Sequence, residues 1–207
     1  MLTLAVGEEQ PGGEAARTAY LGGVASMPQA AGVRALEILN VDRVLLGQDT
    51  PQEVALYAWP DAAAVRAVRG DPRYVADYLP LRKAGWKQQR ILDLAVGAPL
   101  ELAFDRGHPY TLGLLWLKDR AEYDRYYTGT AALRERLGIR PVLALPAQHY
   151  GTAGDGETDP PDLVLLFRWE SAASIDAYLQ SPEFQQHHGH FERGVERLEW
   201  YRIGVAE

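Results

Sequence analysis

The stretch DLVLLFRWESAASIDAYLQ, residues 162–180, contains the change of period that decides the fold. Residues 162–169 are a short apolar run rich in β-formers. Beyond Glu170 the apolar positions Ala172, Ile175 and Tyr178/Leu179 fall at helical spacing, so a strand runs directly into a helix. The segment 110 positions earlier, EVALYAWPDAAAVRAVRGDPRY (53–74), repeats this without a gap. Val54, Leu56, Trp59, Ala62, Ala63, Ala67 and Pro72 return as Val164, Leu166, Trp169, Ala172, Ala173, Ala177 and Pro182. Alanine matches come cheaply, but the paired Trp and Pro do not. Each copy then reaches Asp71-Pro72 or Ser181-Pro182, where a side-chain oxygen caps free amides and proline presets the first helical φ, so a second helix starts there.

Working outward, the same order is read twice. The first copy gives a strand at 2–7, a helix at 13–31, strands at 33–46 and 53–59, helices at 61–84 and a strand at 86–95. The second gives 110–117, 120–137, 140–150, 162–169, 171–193 and 195–204. Both read β-α-β-β-α-β, the ferredoxin-like order, which predicts an α+β protein of two tandem modules, 1–96 and 110–207. Residues 97–109 read as a linker that packs, and the glycine-rich acidic run 151–161 as a mobile hairpin loop. Gly138, Gly85 and Gly194 stand where left-handed helix ends are expected.

The strands TLGLLWL (111–117) and LVLLF (163–167) are apolar on both faces, so both faces must be covered. Two helices cover one face of a ferredoxin-like sheet. The other copy's sheet is the supplier for the second face, which predicts two antiparallel sheets packed face to face as one fused barrel.

The strand-helix pairs VALYAW and LVLLFRW with Ala-rich helices, each followed by DPRY or SPEF, resemble the dimeric α+β barrel superfamily, with its EthD-like, NIPSNAP-like and antibiotic-biosynthesis-monooxygenase-like modules. The resemblance covers nearly the whole chain and implies a barrel that most relatives build from two chains. The superfamily hosts monooxygenases, isomerases, dehalogenating and haem enzymes as well as many members of no known function. The expected function is binding of a small hydrophobic molecule in a pocket between sheet and helices, as a monooxygenase- or isomerase-like enzyme, with a non-catalytic binding or oligomerisation module as the alternative. Fold alone does not choose among these.

Other classes are excluded by composition. A formal charge of −7, with no run of Lys or Arg, argues against nucleic acid and anionic membrane as partners. The absence of cysteine removes disulfides, thiol nucleophiles and Cys-held metal or iron–sulfur centres. No stretch approaches the ~18 apolar residues of a membrane span, and the N-terminal MLTLAVGEEQPGG lacks the basic start of a leader, so a cytoplasmic location is expected. No nucleotide, α/β-hydrolase or zincin motif occurs, and no cofactor is expected. A homo-oligomer is compatible with the remaining apolar surface.

Candidate site residues lie mainly in the second copy. His149, at the end of the strand PVLALPAQHY, is a candidate general base. Arg168 interrupts an apolar strand; it either pairs with a carboxylate such as Glu199, the favoured reading, or meets an anionic ligand. Trp116, Trp169, Trp200 and Tyr201 are candidate ligand contacts on the strands. His187, His188 and His190 could supply imidazoles to a metal, but on a helix His188 points about 100° away from the other two, so a solvated or helix-terminal cluster is expected and no metal site is assigned. Tyr123, Tyr126 and Tyr127 read as the helix face that packs on the sheet.

Overall fold

The computed structural model of the 207-residue chain describes residues 1–96, 102–148 and 159–205. The first half runs β1 (Leu2–Glu9), α1 (Glu14–Val24), α2 (Ser26–Ala30), β2 (Arg34–Leu46), β3 (Glu53–Ala58), α3 (Ala62–Arg69), a π-helical turn (Tyr74–Tyr78), α4 (Leu79–Gly85) and β4 (Trp86–Leu94). The second half runs β5 (Tyr110–Leu117), α5 (Arg120–Gly129), α6 (Ala131–Arg136), β6 (Arg140–Leu145), β7 (Ala147–Gln148), β8 (Leu163–Arg168), α7 (Ala172–Gln180), α8 (Pro182–Gly194) and β9 (Val195–Val205). The architecture is α+β, with the ferredoxin-like order twice, as the sequence predicts.

The strands form one antiparallel sheet in the order β6-β8-β5-β9-β2-β3-β1-β4-β7. The long β2 makes the junction between the halves: its first part pairs with β3, and from Leu39 onward it pairs with β9. The opposite junction is built the same way, since β6 pairs with β8 and β7, one Pro146 further on, pairs with β4. The chain that starts one end of the sheet therefore also ends the other, and the sheet curls round on itself. Register irregularities recur at equivalent points. A bulge at Glu8/Glu9 matches one at Trp116/Leu117, and another at Ala35/Glu37 matches one at Pro141/Leu143.

Alternation along the strands then sorts the side chains. Leu2, Leu4, Val6, Val54, Leu56, Leu92 and Leu94 point inward, where they meet Tyr110, Leu112, Leu114, Trp116, Val164, Leu166, Tyr201 and Ile203 of the other half in one core. Side chains at the intervening positions lie under the helices. Each first helix after the β3-type strand is capped alike: Asp61 Oδ1 accepts from Ala64 N at 2.8 Å, and Ser171 Oγ from Ser174 N at 3.3 Å. Ser181 accepts from Phe184 N at 3.0 Å ahead of Pro182, as its sequence position indicates.

Two expectations need correction. Gly138 has the left-handed conformation (φ 67°), but Gly85 and Gly194 do not. They are small because helices cross there: a Cβ on Gly194 would sit 2.5 Å from Tyr123 N, and one on Gly85 2.7 Å from Arg17 Cγ. The second helix of the first half is also not regular. Pro72 and Pro182 stand 110 positions apart, whereas Gly85 and Gly194 stand 109 apart, so the first half carries one extra residue. The π-helical turn at Tyr74–Tyr78 is where a helix absorbs such an insertion. The linker packs through Leu102 and Phe104 against the shared core, and Asp105 N donates to Tyr110 Oη at 2.8 Å. Most of the predicted hairpin loop at 151–161 lies outside the described residues.

Candidate functional site: two unlike cavities under the helices

Each half leaves a hollow between the outer face of its sheet and its helices. In the second half the cavity measures about 360 Å³. Three rows cross β8, β5 and β9 beneath it, Leu163·Leu115·Leu198, Leu165·Gly113·Trp200 and Phe167·Thr111·Arg202, and of these Leu115, Leu198, Leu165, Gly113, Trp200 and Phe167 line the floor. Gly113 makes the depression, with no side chain to fill the centre of the floor. Tyr126 and Tyr178 stand in the walls with their hydroxyls 2.8 Å apart, and Trp169 meets Tyr178 edge-on at 5.7 Å. Leu45 and Leu46 come from β2 of the first half, so the wall is completed across the junction.

Polar groups around this cavity are few and mostly engaged. Trp169 Nε1 donates to Thr111 Oγ1 at 2.8 Å. Burial, and then the neighbouring Tyr178, hold the Tyr126 phenol far above its ordinary titration range. Arg134 lies over the Tyr127 ring at 3.9 Å and donates to Thr130 Oγ1 and the Tyr127 carbonyl. His188 is different. Its ring stacks on Phe191 (10° between planes), and its buried Nδ1 has no hydrogen-bond partner.

The first-half cavity is larger, about 560 Å³, and is built on the equivalent rows of β3, β1 and β4. These read Glu53·Gly7·Gln89, Ala55·Ala5·Ile91 and Tyr57·Thr3·Asp93. A carboxylate and a carboxamide thus take the places of Leu163 and Leu198. Trp86 Nε1 donates to Glu53 Oε1 at 3.2 Å, and burial nevertheless raises the Glu53 carboxyl above its usual range. Burial also pushes the Tyr57 phenol up to about 12. Beneath α3, Arg69 holds the fully buried Asp93 with both terminal nitrogens (2.6 and 2.9 Å), and Thr3 donates to the same carboxylate at 2.5 Å. Arg82 donates to Tyr74 Oη at 2.8 Å.

Of the sequence candidates, Trp169 and Trp200 line the second cavity. Trp116 and Tyr201 point the other way, into the shared core. Trp116 is sandwiched near Arg197 (3.4 Å) and Arg90 (5.4 Å), and Tyr201 donates to Glu199 at 3.1 Å. Arg168 does not pair with Glu199. It stands opposite Tyr110 and Arg140, whereas Glu199 stands opposite Leu114, ~13 Å further along β5. Glu199 instead accepts the backbone amides of Gln48 and Asp49, closing the β2–β3 turn. Arg168 lines neither cavity, and its Nε is buried without a partner; the Asp105 carboxyl is held low by the Gly107 amide and then His108, with Arg168 a minor contributor. His149 lies outside the described residues.

The histidine cluster splits up. His190 Nδ1 meets Glu122 Oε2 at 2.8 Å, His188 faces the cavity, and His187 lies against Gly129. Among the described residues no three His, Asp or Glu side chains gather as a metal site. Sequence reasoning missed Glu53 and Gln89. The signal was available, because both stand at outward positions where the repeat has leucine.

No family model matches the chain, and no curated protein matches it. Solved structures do. An anthrone oxidase-like protein shares 11% identity over 100% of this chain and 90% of its own, with a TM-score of 0.62. A protein described as a candidate monooxygenase from Fusobacterium nucleatum subsp. nucleatum shares 7% identity, covering 100% and 92%, at 0.54. A chlorite dismutase from Candidatus Nitrospira defluvii shares 12%, covering 98% and 90%, at 0.55. At these identities the likeness shows the fold alone: a ferredoxin-like α+β architecture with a curled antiparallel sheet. Among the described residues no helix is long and apolar enough to cross a membrane.

Proposed function

We propose that the chain binds a small, flat, largely apolar ring compound in the second-half cavity and oxidises it as a monooxygenase-like enzyme. The observation that carries the reading is a cavity of about 360 Å³, open to solvent on one side, with aromatic walls over the Gly113 floor. Such a cavity rewards apolar burial, and its few polar groups set orientation. Trp169 and Trp200 are the ring contacts in this reading, and the His188 imidazole on the cavity wall, whose buried Nδ1 lacks a partner, would turn to hydrogen-bond a ligand hydroxyl or carbonyl. The anthrone oxidase-like and monooxygenase neighbours suggest the chemistry: anthrone and dioxygen giving anthraquinone and water. The shared bulges further support a tandem duplication, with modules 1–96 and 110–207 joined by 97–109.

Anthraquinone titrated into the protein should quench the fluorescence of Trp169 and Trp200 saturably, and Gly113→Phe, whose ring fills the floor, should abolish the quench. Consumption of oxygen with anthrone, lost in the same variant, identifies an enzyme. Saturable binding without oxygen uptake identifies a non-catalytic binding protein instead. The absence of saturable quenching in the wild type defeats the proposal altogether.

A further inference from the structure

The two halves share a tryptophan and a threonine at equivalent places, Trp59 with Thr3 and Trp169 with Thr111, yet they use them differently. In the second half the indole N–H is satisfied by Thr111. In the first half Thr3 is turned toward Asp93, which Arg69 anchors, and Trp59 Nε1 is left buried with no partner. Gln89 Oε1, on the same cavity, is likewise buried without a partner. A buried donor and a buried acceptor left unmade are each costly, so such groups in a folded protein ask for an explanation. Both border the 560 Å³ cavity that also contains Glu53.

The polar groups are set apart. Glu53 and Gln89 flank Gly7 at one end, while Thr3 and Asp93, on which the Trp59–Arg69 group sits, mark a row four residues away, ~13 Å along the strands. Between them the floor is Ala5, Ala55 and Ile91. The complement of this surface is an elongated molecule with an apolar ring body. It would carry a hydrogen-bond donor at the Glu53/Gln89 end and an acceptor, such as a carbonyl, at the Trp59 end.

We propose that the first-half cavity is a second, separate binding site, specific for phenolic or enolic ring compounds bearing a carbonyl at the far end. Trp59 donates to the carbonyl, and Glu53 with Gln89 accepts from the hydroxyl. The Arg69–Asp93–Thr3 group is the positioning element that keeps the Trp59 N–H available. This site does not depend on occupation of the other cavity, because the two share no lining residue.

The probe is 7-hydroxycoumarin, which has its hydroxyl and carbonyl at opposite ends of two fused rings, followed by fluorescence anisotropy at a pH below its own titration. The Gly113→Phe protein, with the other cavity blocked, should bind it as the wild type does. Loss of one neutral hydrogen bond in Trp59→Phe should weaken binding about fivefold, and loss of the charged acceptor in Glu53→Gln about tenfold or more. 7-Methoxycoumarin, which lacks the donor, should bind about tenfold more weakly to the wild type and no more weakly still to Glu53→Gln, a comparison that survives if a variant is unstable. The proposal is overturned if the wild type shows no saturable binding, if both coumarins bind alike, or if Gly113→Phe abolishes binding.

Discussion

Replacing Asp93 by alanine tests the anchoring group beneath α3. Asp93 is fully buried on β4 and accepts two hydrogen bonds from Arg69 and one from Thr3, while Arg69 is itself only 5% exposed. Asp93→Ala strands a guanidinium in the interior, and breaking a buried pair from one side costs about 3–5 kcal/mol. Arg69→Met strands the carboxylate and costs a similar amount. For a chain of this size each kcal/mol lowers Tm by roughly 2–4 °C, so either variant should melt roughly 6–20 °C below the wild type. If the two costs were independent, the double change would cost about 6–10 kcal/mol, which is as much as a typical domain's whole stability. The Arg69→Met/Asp93→Leu protein should instead lie within ~2 kcal/mol of the wild type, because apolar residues of similar volume remove both desolvation penalties together. Urea unfolding followed by circular dichroism of the wild type, Arg69→Met, Asp93→Leu and the double variant gives all four corners of this cycle, with Asp93→Ala as a separate single-variant test. A double variant that loses the sum of the single losses would refute the reasoning, as would Asp93→Ala melting with the wild type.

Two further outcomes follow from packing and charge. Gly194→Ala should destabilise by about 1–3 kcal/mol in denaturant titration, since the new methyl meets Tyr123 backbone 2.5 Å away; Gly85→Ala should cost less, because its nearest obstacle is the movable Arg17 side chain. Glu122 is held at about 2, chiefly by the hydrogen bond with His190 and then by Arg193. A carboxylate lowered by folding stabilises above its ordinary value near 4.5, and that contribution fades as pH falls toward 2, so Glu122→Gln should flatten the acid limb of stability against pH across this window.

Legibility from sequence followed the length scale of the forces. The element order could be read because strand and helix periods are local, and the repeat of Trp and Pro fixed the register of one half against the other. Apolar runs on both faces of β5 and β8 gave the two-sided burial, which the shared core displays. What could not be read depends on distant partners. Gly85 and Gly194 look like helix stops, but their role is set by α1 and α5 crossing above them. Arg168 and Glu199 looked like a pair because both are charged strand residues, and only the register of β5 against β8 and β9 separates them. The ring contacts divided by parity: the cavity floor is odd-numbered on β5 and even-numbered on the far part of β9, so Trp200 faces the helices while Trp116 and Tyr201 face the core.

The difference between the cavities follows from which face of the sheet each half shares. Inward side chains of both halves fill one core, where a change of even one methylene is felt by partners from the other half, so the alternating leucines are constrained jointly. Outward rows bear on their own helices, with little contribution from the opposite half beyond Leu45 and Leu46. A pair of identical chains forming such a barrel must carry two identical pockets, since symmetry copies every residue. Two halves in one chain escape that constraint: Leu163 and Leu198 can stand where the other half has Glu53 and Gln89, and Thr111 can satisfy one tryptophan while Thr3, drawn to Asp93, leaves the other open. One barrel of shared stability thereby presents an apolar cavity and a hydrogen-bonding one, each shaped by substitutions on its own outer face.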